Sequence, residues 1–89
     1  MSEKISRKRR NRFAIVAKIL KQPQIPAKKT HIMYKCNLSF RQLRYYLRLM
    51  RLKGLIRRKK KSETVVYQTT ENGEKFLNAY SKIVRLLQV

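Results

Sequence analysis

Eighty-nine residues allow one domain, and a chain of that size buries only about 60–65% of its unfolded surface, so its core is modest. Hydrophobic residues make up 43% of it, with only two Gly and two Pro, which favours a compact fold over a long flexible interior. Lys and Arg number 24 against 4 Asp and Glu, a formal net charge of +20, too one-sided for the balanced ion-pair networks of a thermophile surface and relieved by a polyanion that releases counterions on binding.

Residues 1–12 read as a basic arm, with Lys4, Arg7, Lys8, Arg9, Arg10 and Arg12 against Glu3 alone. Such a block is either a solvated tail or an arm laid on phosphates or in a minor groove; the shared sign of the whole chain favours contact. From about Ser6 the apolar residues fall at helical spacing, and Phe13, Val16 and Leu20 predict one buried face, with Ile15 and Ile19 beside them. Pro23 and Pro26 end this first helix near Lys21.

After a connection over 22–27, residues 28–35 suit a short second helix that turns Ile32, Met33 and Cys36 inward. Cys36, the single cysteine, excludes an intramolecular disulfide, and with one His it argues against a protein-built metal site. His31 is expected at the surface, or on a phosphate. Asn37-Leu38-Ser39 forms a turn. Ser39 and Gln42 have the spacing of a capping box, and Leu38 can pack on Leu43 as a hydrophobic staple. The third helix is therefore expected from Phe40 to Lys53, where Gly54 supplies a left-handed stop.

Leu55–Arg58 and Val65–Thr69 read as two short strands joined by a charged tip over 59–64. Thr70 caps a last helix carrying Phe76, Leu77, Tyr80, Ile83, Val84 and Leu87. Its first half is expected on the core. Its second half has no evident partner, which points to a dimer interface of Tyr80, Ile83, Val84 and Leu87, with burial inside one chain as the alternative.

The third helix concentrates the chemistry. Phe40, Leu43, Leu47 and Met50 predict a stripe facing the core, flanked by Tyr46. Arg41, Arg44, Tyr45, Arg48 and Arg51 fall on the opposite side. A major groove admits such a helix, with phosphates at its rims and guanine edges within reach of arginine. Arg41 and Gln42 are expected near base edges, and Tyr45 near a thymine methyl or a phosphate. Arg57, Arg58, Lys59, Lys60 and Lys61 are expected to lie along the backbone, although lysines on a hairpin edge also discourage strand pairing.

The segments Lys29-Thr30-His31-Ile32-Met33-Tyr34, Asn37-Leu38-Ser39, Tyr46-Leu47, Gly54-Leu55-Ile56 and Tyr67-Gln68-Thr69-Thr70-Glu71-Asn72-Gly73 resemble those of archaeal winged helix-turn-helix DNA-binding proteins. The similar group comprises small chromatin-associated or regulatory proteins that dimerise by a C-terminal helix. The resemblance covers 28–89 and implies double-stranded DNA binding, a homodimer, and a role in transcription control or DNA organisation. It makes Ser39 to Arg48 the recognition segment and 57–63 the wing. The last helix is short beside the long coiled coil of that group, and the arm and wing are more basic, which leans toward non-specific affinity.

The expected fold is mainly α with a small β-hairpin, an α+β winged helix-turn-helix ordered α-α-α-β-β-α. It consists of an arm over 1–12 and a domain over 13–89 whose C-terminal helix spans about 71–89. The expected function is a DNA-binding transcription regulator or architectural protein, cytoplasmic and nucleoid-associated, with no membrane, cofactor or small-molecule partner. The alternatives are an RNA-binding or ribosome-associated module, disfavoured because most aromatics sit at core spacing and A-form RNA excludes a recognition helix, and a protein adaptor, disfavoured by the charge. No nucleophile–base pair, carboxylate pair or phosphate loop suggests an enzyme.

Overall fold

The structure, a computed structural model, describes residues 11–87. Arg7, Lys8, Arg9 and Arg10 of the expected arm lie outside the described residues, as does the expected helix start near Ser6. Arg12 opens α1 (Arg12–Lys21), whose N-terminus is capped by Asn11: its Oδ1 accepts the Phe13 amide at 2.7 Å. Pro23 lies buried in a 3₁₀ turn over Gln22–Gln24. The last carbonyls of α1 find side-chain donors instead of further helix: Gln22 Nε2 donates to the Lys18 carbonyl, and Thr69 Oγ1 to that of Leu20 at 2.7 Å. Each contact satisfies an oxygen that helix termination orphans.

A two-residue strand, β1 (Ala27–Lys28), follows and had no counterpart in the expected order. It pairs antiparallel with β3, Ala27 opposite Tyr67 and Lys28 opposite Val66. Then come α2 (Lys29–Cys36) and α3 (Phe40–Leu52), joined by three residues. Asn37 takes the left-handed conformation (φ 55°, ψ 50°) that lets the Leu38 amide reach back to the Met33 carbonyl at 3.2 Å. Gly54 (φ +73°) ends α3 in the same manner, with the amides of Gly54 and Leu55 donating to the carbonyls of Arg51 and Met50. That double bond is the Schellman arrangement, which favours glycine at the left-handed position.

β2 (Ile56–Lys61) and β3 (Thr64–Thr69) form a hairpin, giving a three-stranded sheet in the order β1-β3-β2. The register runs from Ile56 opposite Thr69 to Lys61 opposite Thr64. The turn is thus Ser62-Glu63 alone, and not the six-residue tip expected from sequence. α4 (Glu71–Leu87) is the last described element.

The core gathers Ile15, Val16, Ile19, Leu20, Ile32, Cys36, Leu38, Leu43, Leu47, Met50, Ile56 and Tyr67. Ile19, Leu20, Ile32, Leu43 and Met50 are fully buried, each worth roughly 1.5–3 kcal/mol relative to an exposed side chain. Two expectations fail here. Phe13 and Phe40, both assigned to the core by spacing, are 60% and 51% exposed. Met33 does turn inward and packs, partly buried, against the core. Of the eight aromatic residues Tyr67 alone is buried, so the placing of most aromatics in the core does not hold.

Candidate nucleic-acid interface

α3 is built to show one face and hide the other. Ser39 Oγ accepts the Gln42 amide at 3.1 Å, while Gln42 Oε1 accepts the Ser39 amide at 3.0 Å, closing the expected capping box. With its entry fixed, Leu43, Leu47 and Met50 enter the core, and Tyr46 flanks them half-buried. Arg41, Gln42, Arg44, Tyr45, Arg48 and Arg51 are all exposed. Arg41, Arg44, Arg48 and Arg51 stand at helical spacing along an element about 20 Å long at 1.5 Å per residue, with no acidic residue among its thirteen. The capping box thus engages Gln42 Oε1 with the Ser39 amide, using one of the two lone pairs that oxygen offers.

Sequence reasoning missed the environment of Phe40. The Lys29 ammonium lies 4.8 Å from its ring centroid and the Arg44 guanidinium carbon 5.6 Å from it, both within cation–π range. Apolar spacing cannot separate Phe40 from Leu43 or Leu47, because a first-turn residue shares their stripe yet projects beyond the core edge. Tyr45, 52% exposed, meets Tyr46 edge-on at 5.1 Å. His31 is exposed, as expected, and lines an open depression with Ile25, Thr30 and Tyr34.

The hairpin carries Arg57, Arg58, Lys59, Lys60 and Lys61 within β2, every one exposed. Because side chains alternate across a strand, they divide into two sets. Arg58 and Lys60 share the face of Ile56, and with Arg51 of α3 and Val65 they border one shallow depression of about 260 Å³. Arg57, Lys59 and Lys61 take the other face, where Lys28 of β1 and Lys59 flank Val66 in the register. Thus the cations are not one loop cluster. One set continues the arginine face of α3, and the other covers the outer side of the sheet.

Between α1 and α4, Phe13 stacks on Phe76 (6.5 Å between centroids) and Phe76 on Tyr80 (6.3 Å, interplanar angle 6°). These rings line an apolar groove of about 360 Å³ together with Ile83, Val84 and Leu87. The structure therefore brings Tyr80, Ile83, Val84 and Leu87 onto one surface, and adds Phe13 to it. Ile83, Leu86 and Leu87 are exposed. Among the described residues, no helix is long and apolar enough to cross a membrane, and no group of three or more His, Cys, Asp or Glu is placed to hold a metal ion.

Two helices joined by a tight turn, the second solvent-facing and arginine-lined, followed by a basic hairpin, define a recognisable arrangement. The sequence model of the family described as winged helix-turn-helix matches residues 9–88. The chain belongs to that family. Among solved structures, this winged helix-turn-helix chain is similar to Sso10a-2, a DNA-binding protein from Sulfolobus solfataricus. That match has a TM-score of 0.72 and 21% identity, covering 90% of this chain and 99% of the other. It is similar to the transcriptional regulator BldR from the same organism, at TM-score 0.80 and 20% identity, over 96% of this chain and 72% of the other. A complex of Staphylococcus aureus MepR with DNA matches at TM-score 0.71 and 15% identity, over 97% and 70% of the two chains. At these identities the likeness speaks for the fold. A search of the curated proteins finds no match.

Proposed function

We propose that this winged helix-turn-helix protein binds double-stranded DNA without catalysis, acting as a transcription regulator or an architectural protein. The observation that carries this reading is the continuity of cationic surface from Arg41, Arg44, Arg48 and Arg51 on α3 to Arg58 and Lys60 on β2. A helix of this kind fits a major groove, and a neighbouring hairpin reaches the adjacent phosphates. Six such cations on six phosphates would contribute about −5 to the log–log salt slope of each chain, and contacts from the arm would steepen it. The names of the similar proteins, a DNA-binding protein, a transcriptional regulator and a regulator complexed with DNA, support the same conclusion.

The protein acts as a homodimer, paired through the groove of Phe13, Tyr80, Ile83, Val84 and Leu87. Exposed Ile83 and Leu87 in that apolar groove favour cover by a second copy, and a dimer places two recognition helices about 34 Å apart on the duplex. Arg7, Lys8, Arg9 and Arg10 add phosphate contacts from the basic arm, in a nucleoid-associated setting.

Exposed Tyr34, Phe40 and Tyr45 favour a second function, single-stranded or looped RNA binding by base stacking. The deciding experiment is fluorescence anisotropy on duplex DNA with Arg44→Ala and Arg48→Ala. On the DNA reading each variant weakens binding several-fold while its melting temperature stays put. Unchanged duplex affinity in both would remove α3 from the interface.

A further inference from the structure

On the duplex-DNA reading above, we infer that Phe40 is a specificity-determining residue that meets the C5-methyl group of thymine in the major groove.

Phe40 opens α3, the part of a recognition helix that lies nearest base edges. An aromatic ring left half-open in water at that position is not demanded by the fold, since the core closes on Leu43, Leu47 and Met50 one turn further in. Its orientation is nevertheless held. Lys29 from α2 and Arg44 from α3 both approach the ring, at 4.8 and 5.6 Å from its centroid. These cations brace Phe40 and surround it with positive charge.

The other exposed phenylalanine makes the contrast. Phe13 stacks on Phe76 and belongs to the apolar groove beside α4, a surface suited to another apolar protein face. Phe40 stands instead between Lys29 and Arg44. An apolar protein partner would have to bury those charges, at a heavy desolvation cost. A partner with an anionic rim and an apolar point inside it matches the pattern. The major groove has that make-up: phosphates along its edges, and within it the thymine methyl, the one apolar group that base pairs present there.

The neighbouring polar side chain is partly engaged: Gln42 Oε1 already accepts from the Ser39 amide, which leaves Phe40 as the apolar group that the first turn offers to a base edge. RNA lacks the methyl group, and its deep major groove does not admit the helix, so the same residue would also help separate DNA from RNA.

The test uses duplexes recovered from a random DNA pool by the full-length protein, resynthesised with deoxyuridine in place of thymidine. That exchange deletes the methyl group. The wild-type protein is expected to lose about fourfold in affinity for each engaged thymine, the worth of one buried methyl-sized group. Phe40→Ala should bind the thymidine and deoxyuridine forms equally, and Phe40→Leu should keep part of the difference; thermal melting confirms that both variants fold. Equal binding of both forms by the wild-type protein would overturn the role of Phe40, as would undiminished discrimination by Phe40→Ala. Failure of the wild-type protein to retain any duplex in the initial recovery would instead overturn both this role and DNA binding itself.

Discussion

Gly73, in the first turn of α4, lies against the backbone carbonyl of Leu55, so close that a β-carbon at position 73 would overlap both that oxygen and the Thr69 side chain. The same junction is tied by Thr70. Its hydroxyl donates to the Gly54 carbonyl at 2.6 Å and accepts the Gly73 amide at 3.1 Å, while its own amide donates to the Leu55 carbonyl. The exit of α3, the root of the hairpin and the start of α4 are thereby locked together. Any dimer made through α4 thus holds its two copies of α3 at a defined spacing.

Two effects compete at this junction, and their sizes decide the outcome of Gly73→Ala. Helix propensity alone would stabilise the protein by about 1 kcal/mol. Steric overlap with a fixed backbone oxygen costs at least the roughly 1–3 kcal/mol of an overpacked site. Net destabilisation of about 0–2 kcal/mol is expected in urea unfolding, toward the upper end because the overlapped oxygen is backbone, and a gain in stability would show that α4 stands off from Leu55.

The capping box separates stability from binding. Gln42→Glu keeps an acceptor for the Ser39 amide and adds negative charge at a helix N-terminus, which favours folding by about 0.3–1 kcal/mol. The same charge repels phosphate. Duplex DNA affinity should therefore fall while the melting temperature holds or rises. Ser39→Ala, by contrast, should cost about 1 kcal/mol of stability.

Strand alternation makes a prediction for the wing. The double variant Arg58→Ala/Lys60→Ala removes cations on the side of Arg51, and the magnitude of the salt slope for duplex DNA should drop by about 2, near 0.9 per lost phosphate contact. Arg57→Ala/Lys59→Ala strips the other face and should lower it less. Equal losses would mean that both faces of the hairpin touch the same backbone.

The helical part of the fold was legible because its signals are local. The proline pair after α1, the Ser39/Gln42 box and Gly54 each act within one turn of the chain, and each appears where it was read. β1 was not legible: two residues become a strand only because Tyr67 and Val66 stand beside them. The hairpin was misread for a related reason. Consecutive lysines have poor strand propensity, yet Lys59–Lys61 are drawn into the sheet by pairing with Thr64, Val65 and Val66. Of the site, the arginine face of α3 follows from periodicity alone. The cation-flanked ring of Phe40 depends on where Lys29 arrives from another helix, which spacing within α3 does not encode.

The apolar groove predicts a switchable assembly. Ile83 is 54% and Leu87 78% exposed in the single chain, so aspartate at either site would cost a monomer little but would bury a charge in a dimer. Ile83→Asp and Leu87→Asp should halve the mass seen by sedimentation equilibrium. Duplex affinity should fall more than tenfold with the loss of bivalent attachment. A monomeric wild-type protein would assign the groove to some other partner.

The central claim, recognition of duplex DNA by α3 and the wing, is tested most directly by comparing duplex DNA with duplex RNA of matched sequence across a salt series. Tighter binding to DNA at every salt concentration, with a log–log slope at least as steep as about −5 per chain, is the predicted result. Equal or tighter binding to RNA would contradict it.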